Sequence, residues 1–230
     1  MSQSSGVLHI ESATSNGRRA AMAKNVSVLT DIYQEDINIA VWHNKLADDV
    51  LSNITKVMAE NSHLNVKIST TPESVAEELL ANVPQLGNQK ALCKYIELLV
   101  EMFCTLFELK SAGLRLAKLD KAMCPKFHVD HIPCRLVTTF CGVATQWLPH
   151  DCIDRSKLGA GSQNQPDDVS GVMQHSSNIQ HLTAGDVALL KGEGWYNNEN
   201  GGLVHRSPAV AGNEQRLLLT LDFLLSLIHI

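Results

Sequence analysis

Aromatic residues and long apolar runs are both scarce in this 230-residue sequence. Phe, Trp and Tyr make up 5% of the chain, and the most apolar stretch, residues 96–109, is interrupted by Glu97, Glu101 and Glu108. A membrane-spanning helix needs about 20 consecutive apolar residues, so none is predicted. The N-terminus also lacks the apolar segment and cleavage site of a secretory signal. We therefore expect a cytoplasmic protein that does not act on a membrane.

Basic residues are outnumbered, with 19 Lys and Arg against 24 Asp and Glu and a formal net charge of −5. A protein whose main partner is nucleic acid carries a basic patch or stripe, and none stands out here. The sequence also lacks the glycine-rich nucleotide-binding motifs and the GxSxG motif of serine hydrolases. These absences argue against a nucleic-acid partner, nucleotide binding and serine hydrolysis.

The chain contains six cysteines, an even number that is compatible with disulfides. Hydrophobic residues make up 44% of the sequence, which is enough for a core that needs no covalent support. Reduced thiols in a cytoplasm are therefore the expected state. The cysteines are Cys93, Cys104, Cys124, Cys134, Cys141 and Cys152.

The sequence changes character near Gly113. Residues 1–25 are polar and aperiodic, and we predict a disordered N-terminal tail. Residues 26–113 combine short strands with amphipathic helices, the last of them predicted over 88–111 with Gly113 as its stop. We expect this region to form an α/β layer packed on the core. Residues 114–225 contain short β-branched strands between Gly, Pro and Asn turns, which predicts a barrel or jelly roll.

Two segments of the C-terminal half stand apart from that strand pattern. Residues 155–181 are rich in Gly, Ser and Gln, and a loop of this length is expected to be either disordered or an active-site lid. Residues 226–230 end an apolar run that is unusual at the end of a domain, so we expect them to be a non-native or frayed tail.

The most informative motif is His128-Val-Asp130, followed much later by His205. Side chains two apart on a strand point the same way, so His128 and Asp130 can share one ion. Two imidazoles and one carboxylate on one side of a metal leave its other side open, an arrangement typical of non-haem Fe(II) sites. We predict that His128, Asp130 and His205 are metal ligands, with no further catalytic residue assigned.

Arg216 begins the apolar strand RLLLTLDF. Burial of an unpaired guanidinium costs several kcal/mol, on the order of 3–5 when a partner is missing, so an anionic partner is expected. The carboxylate of a 2-oxo acid, held by two parallel hydrogen bonds, is one candidate. The simpler alternative is a protein carboxylate, Asp222 or Asp186.

Four further residues are predicted to surround the metal. Arg135 can reach Asp130 from the neighbouring strand and orient it, although an exposed strand arginine fits the pattern equally well. Trp147, Trp195 and Lys191 are assigned to the pocket, although large aromatic residues more often pack in a core.

An alternative metal site overlaps the first. Cys124, His128, His131 and Cys134 have the residue types of a structural zinc site. If residues 126–134 are extended, His131 points away from His128, which favours the pair His128 and Asp130. The same triad with zinc and no oxygen chemistry also stays open, in a cupin-like protein that handles metal or hydrolyses its substrate.

Five blocks, KFHVD, RLVTTF, LTAGDVALLKG, VHRSP and RLLLTLDF, resemble the double-stranded β-helix of Fe(II)/2-oxoglutarate oxygenases over residues 120–223. The resemblance implies an α+β fold with a C-terminal double-stranded β-helix (jelly-roll) core and an N-terminal α/β helical layer. It also implies an Fe(II)- and 2-oxoglutarate-dependent hydroxylation of an unknown small-molecule or protein substrate. Arg216 would bind the C5 carboxylate of 2-oxoglutarate. Many such oxygenases have Ser or Thr where Leu218 stands, so Thr220 is the nearest hydroxyl on that face.

The whole chain is similar to an uncharacterised bacterial family, a domain of unknown function. Its members share the blocks CP-x-FHVD-x-x-P-x-R and GLVHRSP, which here cover residues 124–135 and 202–208. No established reaction comes with this resemblance. It does imply an association with zinc-chaperone GTPases. Zinc is the alternative metal because cysteines lie near the site and Leu218 weakens the expected cosubstrate pocket.

Overall fold

A computed structural model describes residues 17–224. The fold is α+β, as the sequence predicts, and contains a seven-stranded sheet and a three-stranded sheet. The helices are α1 (Asp48–Glu60), α2 (Val75–Asn82), α3 (Lys90–Leu106) and the short α4 (Asp167–Ser170). The strands are β1 (Arg19–Ala23), β2 (Ile37–Trp42), β3 (Asn65–Thr70), β4 (Ala112–Leu119), β5 (Cys134–Cys141), β6 (Gln146–Leu148), β7 (Gln180–His181), β8 (Val187–Lys191), β9 (Val204–Arg206) and β10 (Arg216–Phe223).

The N-terminal region differs from its prediction at two places. Strand β1 lies inside the segment predicted to be disordered, and it is ordered because it pairs in parallel with β2 and buries Ala21. Helix α3 ends at Leu106, five residues before the predicted end. Glu108 then adopts a left-handed conformation with φ 53°, and Gly113 lies within β4. The predictions for residues 1–16 and 226–230 fall outside the described residues.

The large sheet has the strand order β1-β2-β8-β5-β10-β4-β3. All neighbours are antiparallel except β1 and β2. Strands from the N-terminal half therefore extend both edges of a sheet whose centre comes from the C-terminal half. One face of this sheet packs on α1 and α3 through a continuous apolar core.

Alternation along the central strand β10 separates that core from the opposite face. Leu217, Leu219 and Leu221 are buried towards the helices, whereas the side chains of Arg216 and Thr220 point to the other side of the sheet. The small sheet, ordered β7-β6-β9, lies over that other side. From β4 to β10 the chain passes repeatedly between the two sheets.

The polar segment 155–181 is built of short 3-10 helices, α4 and β7. A backbone bridge between Ile153 and Met173 closes it at its base. Between residues 17 and 224, no helix is both long enough and apolar enough to cross a membrane. All six cysteines are free thiols, in agreement with the sequence-based expectation.

Candidate metal centre

His128 and His205 are held side by side by backbone pairing. The amide of His128 donates to the carbonyl of His205, and the reverse bond is also present, each at 3.0 Å. The two imidazole rings consequently lie 4.6 Å apart between centroids. Asp130 completes the group: its Oδ2 lies 3.5 Å from His205 Nε2, and its Oδ1 lies 3.9 Å from His128 Nε2. The structure therefore brings the three predicted metal ligands together.

Two glycines allow the chain to approach this closely. A Cβ on Gly202 would lie 2.5 Å from the side chain of Val129, so a larger residue would push the His205 strand away from the His128 segment. Gly142 follows β5 with φ +84°, and a Cβ there would lie 2.8 Å from the Cβ of Arg216. Both positions need glycine because backbone or side-chain atoms occupy the space.

The hydrogen-bond partner of Nδ1 in each imidazole indicates how the ring is oriented and which nitrogen carries a hydrogen. His128 Nδ1 lies 2.9 Å from the carbonyl of Lys126, and His205 Nδ1 lies 3.3 Å from the carbonyl of Leu203. A carbonyl only accepts hydrogen bonds, so each Nδ1 carries a hydrogen and Nε2 is the nitrogen that each ring offers to a metal. Both Nε2 atoms then point towards Asp130, the usual arrangement for metal-binding histidines. Burial also lowers the pKa of His205 to about 4, so this imidazole is neutral at pH 7.

The carboxylate of Asp130 is positioned by Arg135, as predicted. Arg135 Nη1 donates to Asp130 Oδ1 at 3.1 Å and lies 2.9 Å from Oδ2. Its Nε and Nη2 form a two-pronged pair with Asp222, at 2.7 and 2.9 Å. Asp130 Oδ2 is buried, and apart from the Arg135 contact and the nearby imidazole of His205 it has no polar partner in the described part of the chain. Two imidazole nitrogens and a carboxylate oxygen thus converge, and a divalent cation satisfies such a set.

Arg216 lies beside the two histidines of the triad, and its Nε and Nη1 have no partner in the part of the chain that the structure describes. Arg216 is 1% exposed. Asp222 is engaged by Arg135, and Asp186 accepts from Thr183 and contacts His43. The prediction that Asp222 or Asp186 pairs with Arg216 is therefore wrong. Desolvation lowers the pKa of Arg216 to about 10.

A cavity of about 30 Å³ connects Arg216 with the two histidines. Thr220 lines it with Arg216, as the alternation along β10 predicts, and Leu218 lies between them. Met123 forms another part of its wall. The Arg216 guanidinium, the Thr220 hydroxyl and both histidines of the triad therefore face one small space whose remaining wall is largely apolar.

Two residues assigned to the pocket lie elsewhere. The side chain of Lys191 points to the other face of β8, because its neighbour Leu190 is the residue that lines the metal cavity. Lys191 Nζ donates to the carbonyl of Gln34 at 2.8 Å and lies 4.9 Å from the ring of Trp195. Trp195 packs against Tyr33 and Phe107 rather than near the metal ligands.

Trp147 stays close to the site without lining its cavity. It is the cross-strand neighbour of His205 in the small sheet and is buried in the apolar cluster between the two sheets. It therefore supports the strand that carries His205, and its role is packing.

The alternative zinc site is not assembled. Cys134 points into the helix-side core, because on β5 it is Arg135 that faces the metal side. Cys124 is exposed, and the side chain of His131 is 89% exposed beside Glu193. Within residues 17–224, His128, Asp130 and His205 form the one group of three or more His, Cys, Asp or Glu whose ligand atoms lie within 4.8 Å of one another.

Asp167 and Arg206 support the site, and no motif in the sequence pointed to Asp167. Asp167 Oδ2 accepts from the amide of Phe127 at 3.0 Å and from Arg206 Nη1 at 2.7 Å. The Arg206 guanidinium also lies 4.3 Å from the ring of Phe127. The residues next to His128 and His205 are thereby tied to one carboxylate. In the sequence, the role of Arg206 was indicated only by its position directly after His205.

A family model described as "Protein of unknown function (DUF1826)" matches residues 23–222. None of the curated proteins matches the sequence. Among solved structures, a dioxygenase for auxin oxidation from Arabidopsis thaliana is 11% identical, with a TM-score of 0.47 and coverage of 90% of this chain and 92% of that chain. A Pseudomonas putida prolyl-4-hydroxylase is 13% identical, with a TM-score of 0.41 and coverage of 86% and 96%. A 2OG-Fe(II) oxygenase family oxidoreductase from Burkholderia pseudomallei is 11% identical, with a TM-score of 0.42 and coverage of 89% and 94%.

Proposed function

This chain belongs to the DUF1826 family, and we propose that it is a non-haem Fe(II)/2-oxoglutarate-dependent oxygenase of the hydroxylation type. The observation that carries the proposal is the convergence of two imidazole nitrogens and a carboxylate beside a buried arginine whose Nε and Nη1 have no acceptor within residues 17–224. The first feature fits a divalent cation, and the second fits a carboxylate that binds next to it.

The strand connections support a double-stranded β-helix as the scaffold. Strands β4, β10, β5 and β8 form one layer. The segment around His128 pairs with β9, which pairs with β6, which pairs with β7, and these form the other layer. Residues 114–225 would form this core, and residues 26–113 would form the α/β layer that covers its outer face.

The chain's own residues prepare the metal site. The carbonyls of Lys126 and Leu203 orient both imidazoles so that Nε2 faces Asp130, and Arg135 holds the carboxylate of Asp130. When bound, iron with 2-oxoglutarate supplies the dioxygen chemistry that oxidises a substrate C–H bond. The protein contributes orientation and excludes water with the apolar side chains around the cavity.

Arg216 and Thr220 would hold the distal carboxylate of 2-oxoglutarate. A guanidinium donates strong hydrogen bonds to a carboxylate, and Nε and Nη1 of Arg216 have no acceptor within the described residues. The cavity of about 30 Å³ is smaller than a five-carbon diacid. Cosubstrate binding therefore requires a wall residue to move, and Met123 is suited to this because its unbranched side chain changes rotamer readily.

The test is to add Fe(II) and then 2-oxoglutarate to the protein under anaerobic conditions. The expected result is a visible metal-to-ligand charge-transfer band, followed by succinate release when air is admitted. Arg216→Met should lose the band and keep the metal, whereas the matched control Arg19→Met, an exposed arginine paired with Asp36, should retain both. An absent band in the iron-loaded wild type, with no succinate, would contradict the proposal.

The small cavity favours a second candidate, a cupin-like zinc protein that handles metal or hydrolyses its substrate. A space of about 30 Å³ holds water molecules next to the triad without rearrangement. Tight stoichiometric zinc that is retained after Fe(II) is offered would support this candidate. The association with zinc-chaperone GTPases belongs to this candidate and stays a prediction.

A further inference from the structure

A larger cavity of about 480 Å³ adjoins the metal centre. It lies over β3, β4 and β10 on the metal-facing side of the large sheet. Met123, Arg135 and Thr220 line both this cavity and the small one that is lined by His128 and His205. The two spaces therefore share a wall, and a molecule in the larger cavity would lie next to the metal ligands.

Two cations face this cavity from neighbouring strands. Lys67 on β3 is the cross-strand partner of Arg115 on β4, and Arg115 is the partner of Thr220 on β10. Side chains of directly paired residues lie on the same face of a sheet. Lys67, Arg115 and Thr220 thus form a row that leads from the open edge of the sheet to the wall of the metal cavity.

The cations of this row are not neutralised by the residues around them. Arg115 Nε is buried and has no acceptor within the described chain. Asp222 is the one acidic residue in the lining between residues 17 and 224, and its two oxygens are taken by Arg135. Arg135 is in turn saturated by Asp222 and Asp130. Lys67 and Arg115 therefore leave an excess of positive charge in a cavity large enough for a metabolite.

We propose that this cavity binds the oxyanion group, a carboxylate or a phosphate, of the molecule that is oxidised, with Arg115 as the main contact and Lys67 as the second. The row ends at Thr220, so the remainder of that molecule would extend towards the shared wall and the triad. Its role as a substrate site rests on the proposed function. Oxyanion binding by Arg115 and Lys67 does not, because neither residue contacts the metal ligands.

The experiment measures binding of three probes to metal-free protein by NMR titration: phenylphosphonate, benzoate and the uncharged benzyl alcohol. The Arg216→Met variant serves as the parent, so that the other free guanidinium contributes no anion binding. The expected result is that both anions bind more tightly than benzyl alcohol. Arg115→Met should weaken the preferred anion about tenfold, and Lys67→Met should weaken it several-fold. The preferred anion identifies the class, phosphate or carboxylate.

Lys56→Met is the matched control, because Lys56 is exposed on α1, on the helix side of the sheet. This variant should bind all three probes as the parent does. Lys67→Glu covers the case in which Arg115→Met does not fold, since Lys67 is exposed and a reversed charge should abolish the preference for anions. Equal binding of charged and uncharged probes, or unchanged affinity in Arg115→Met and Lys67→Glu, would overturn the proposal.

Failure of this proposal is distinguishable from failure of the proposed function. The probes are titrated without metal and without 2-oxoglutarate, so their binding reports only on the cavity. A protein that binds the anions through Arg115 but shows no charge-transfer band retains an oxyanion site and loses the oxygenase assignment. A protein with the band and no anion preference retains the oxygenase assignment and loses the oxyanion site.

Discussion

Replacement of Arg216 by Met should stabilise the metal-free protein and at the same time abolish its response to 2-oxoglutarate. Burial lowers the pKa of the Arg216 guanidinium to about 10. The ordinary pKa of arginine is about 12.5, and one pKa unit corresponds to about 1.4 kcal/mol. Burial therefore opposes the charged form of Arg216 by about 3 kcal/mol. Nothing in the described chain offsets this cost, because Nε and Nη1 have no acceptor.

Methionine is unbranched and fills much of the space of the arginine stem without a charge. Part of the 3 kcal/mol is lost to imperfect packing, so we expect the free energy of unfolding to rise by about 1–3 kcal/mol. Urea denaturation followed by tryptophan fluorescence measures this as a higher midpoint with an unchanged slope.

The second half of the prediction uses ligand linkage. With Mn(II) in place of iron, 2-oxoglutarate at a hundred times its Kd should stabilise the wild type by about 2.7 kcal/mol. The Arg216→Met variant should show no such gain, while Arg19→Met should behave as the wild type does. A loss of stability above about 1 kcal/mol in metal-free Arg216→Met would mean that the arginine has a structural partner, and the reasoning would be wrong.

The remaining predictions concern the triad and the cavity wall. His205→Ala should lose stoichiometric metal by elemental analysis, whereas His131→Ala should keep it because that side chain is exposed. The pKa of His205 is lowered to about 4 in the folded protein from 6.5, so metal-free unfolding free energy should fall as the pH drops from about 6.5 towards 4, and His205→Leu should flatten this decline in urea titrations across that range. Met123→Ala should lower the Kd for 2-oxoglutarate in calorimetry, because the cavity would open without a rotamer change; a higher Kd would show that Met123 supports the site. Asp222→Asn should raise the Kd for metal several-fold, because Arg135 would lose its two-pronged anchor and hold Asp130 less firmly.

The sequence was most informative where strand alternation decides the geometry. The two-residue spacing of His128 and Asp130 was sufficient to predict that both point to one side. The same rule predicted that Thr220 shares the face of Arg216. It could not place Lys191, because the face that a β8 residue occupies depends on where the strand begins. The zinc alternative failed for the related reason that Cys134 occupies the opposite face of β5 from Arg135.

Contacts between distant segments were beyond the sequence. Asp167 lies in a polar stretch with no motif, and only the folded chain shows that it receives hydrogen bonds from Phe127 and Arg206. The end of α3 was also mispredicted, because the apolar periodicity of the helix continues into the residues that lead to β4. Pairing with β3 and β10 makes residues 112–119 a strand, and the helix therefore ends before them.

Several of the buried polar groups that have no hydrogen-bond partner within the described residues lie on the metal-facing side of the large sheet. They include Asp130 Oδ2, two nitrogens of Arg216 and Arg115 Nε. A folded protein satisfies most of its buried polar groups, since each orphan costs about 1–3 kcal/mol. Leucine on the same strands packs without such a cost, as Leu217 and Leu219 do on the helix side. A metal on Asp130, a carboxylate on Arg216 and an oxyanion on Arg115 would each satisfy one of these groups. The three proposals therefore explain a single property of the fold, which is that this face of the sheet is completed by what it binds.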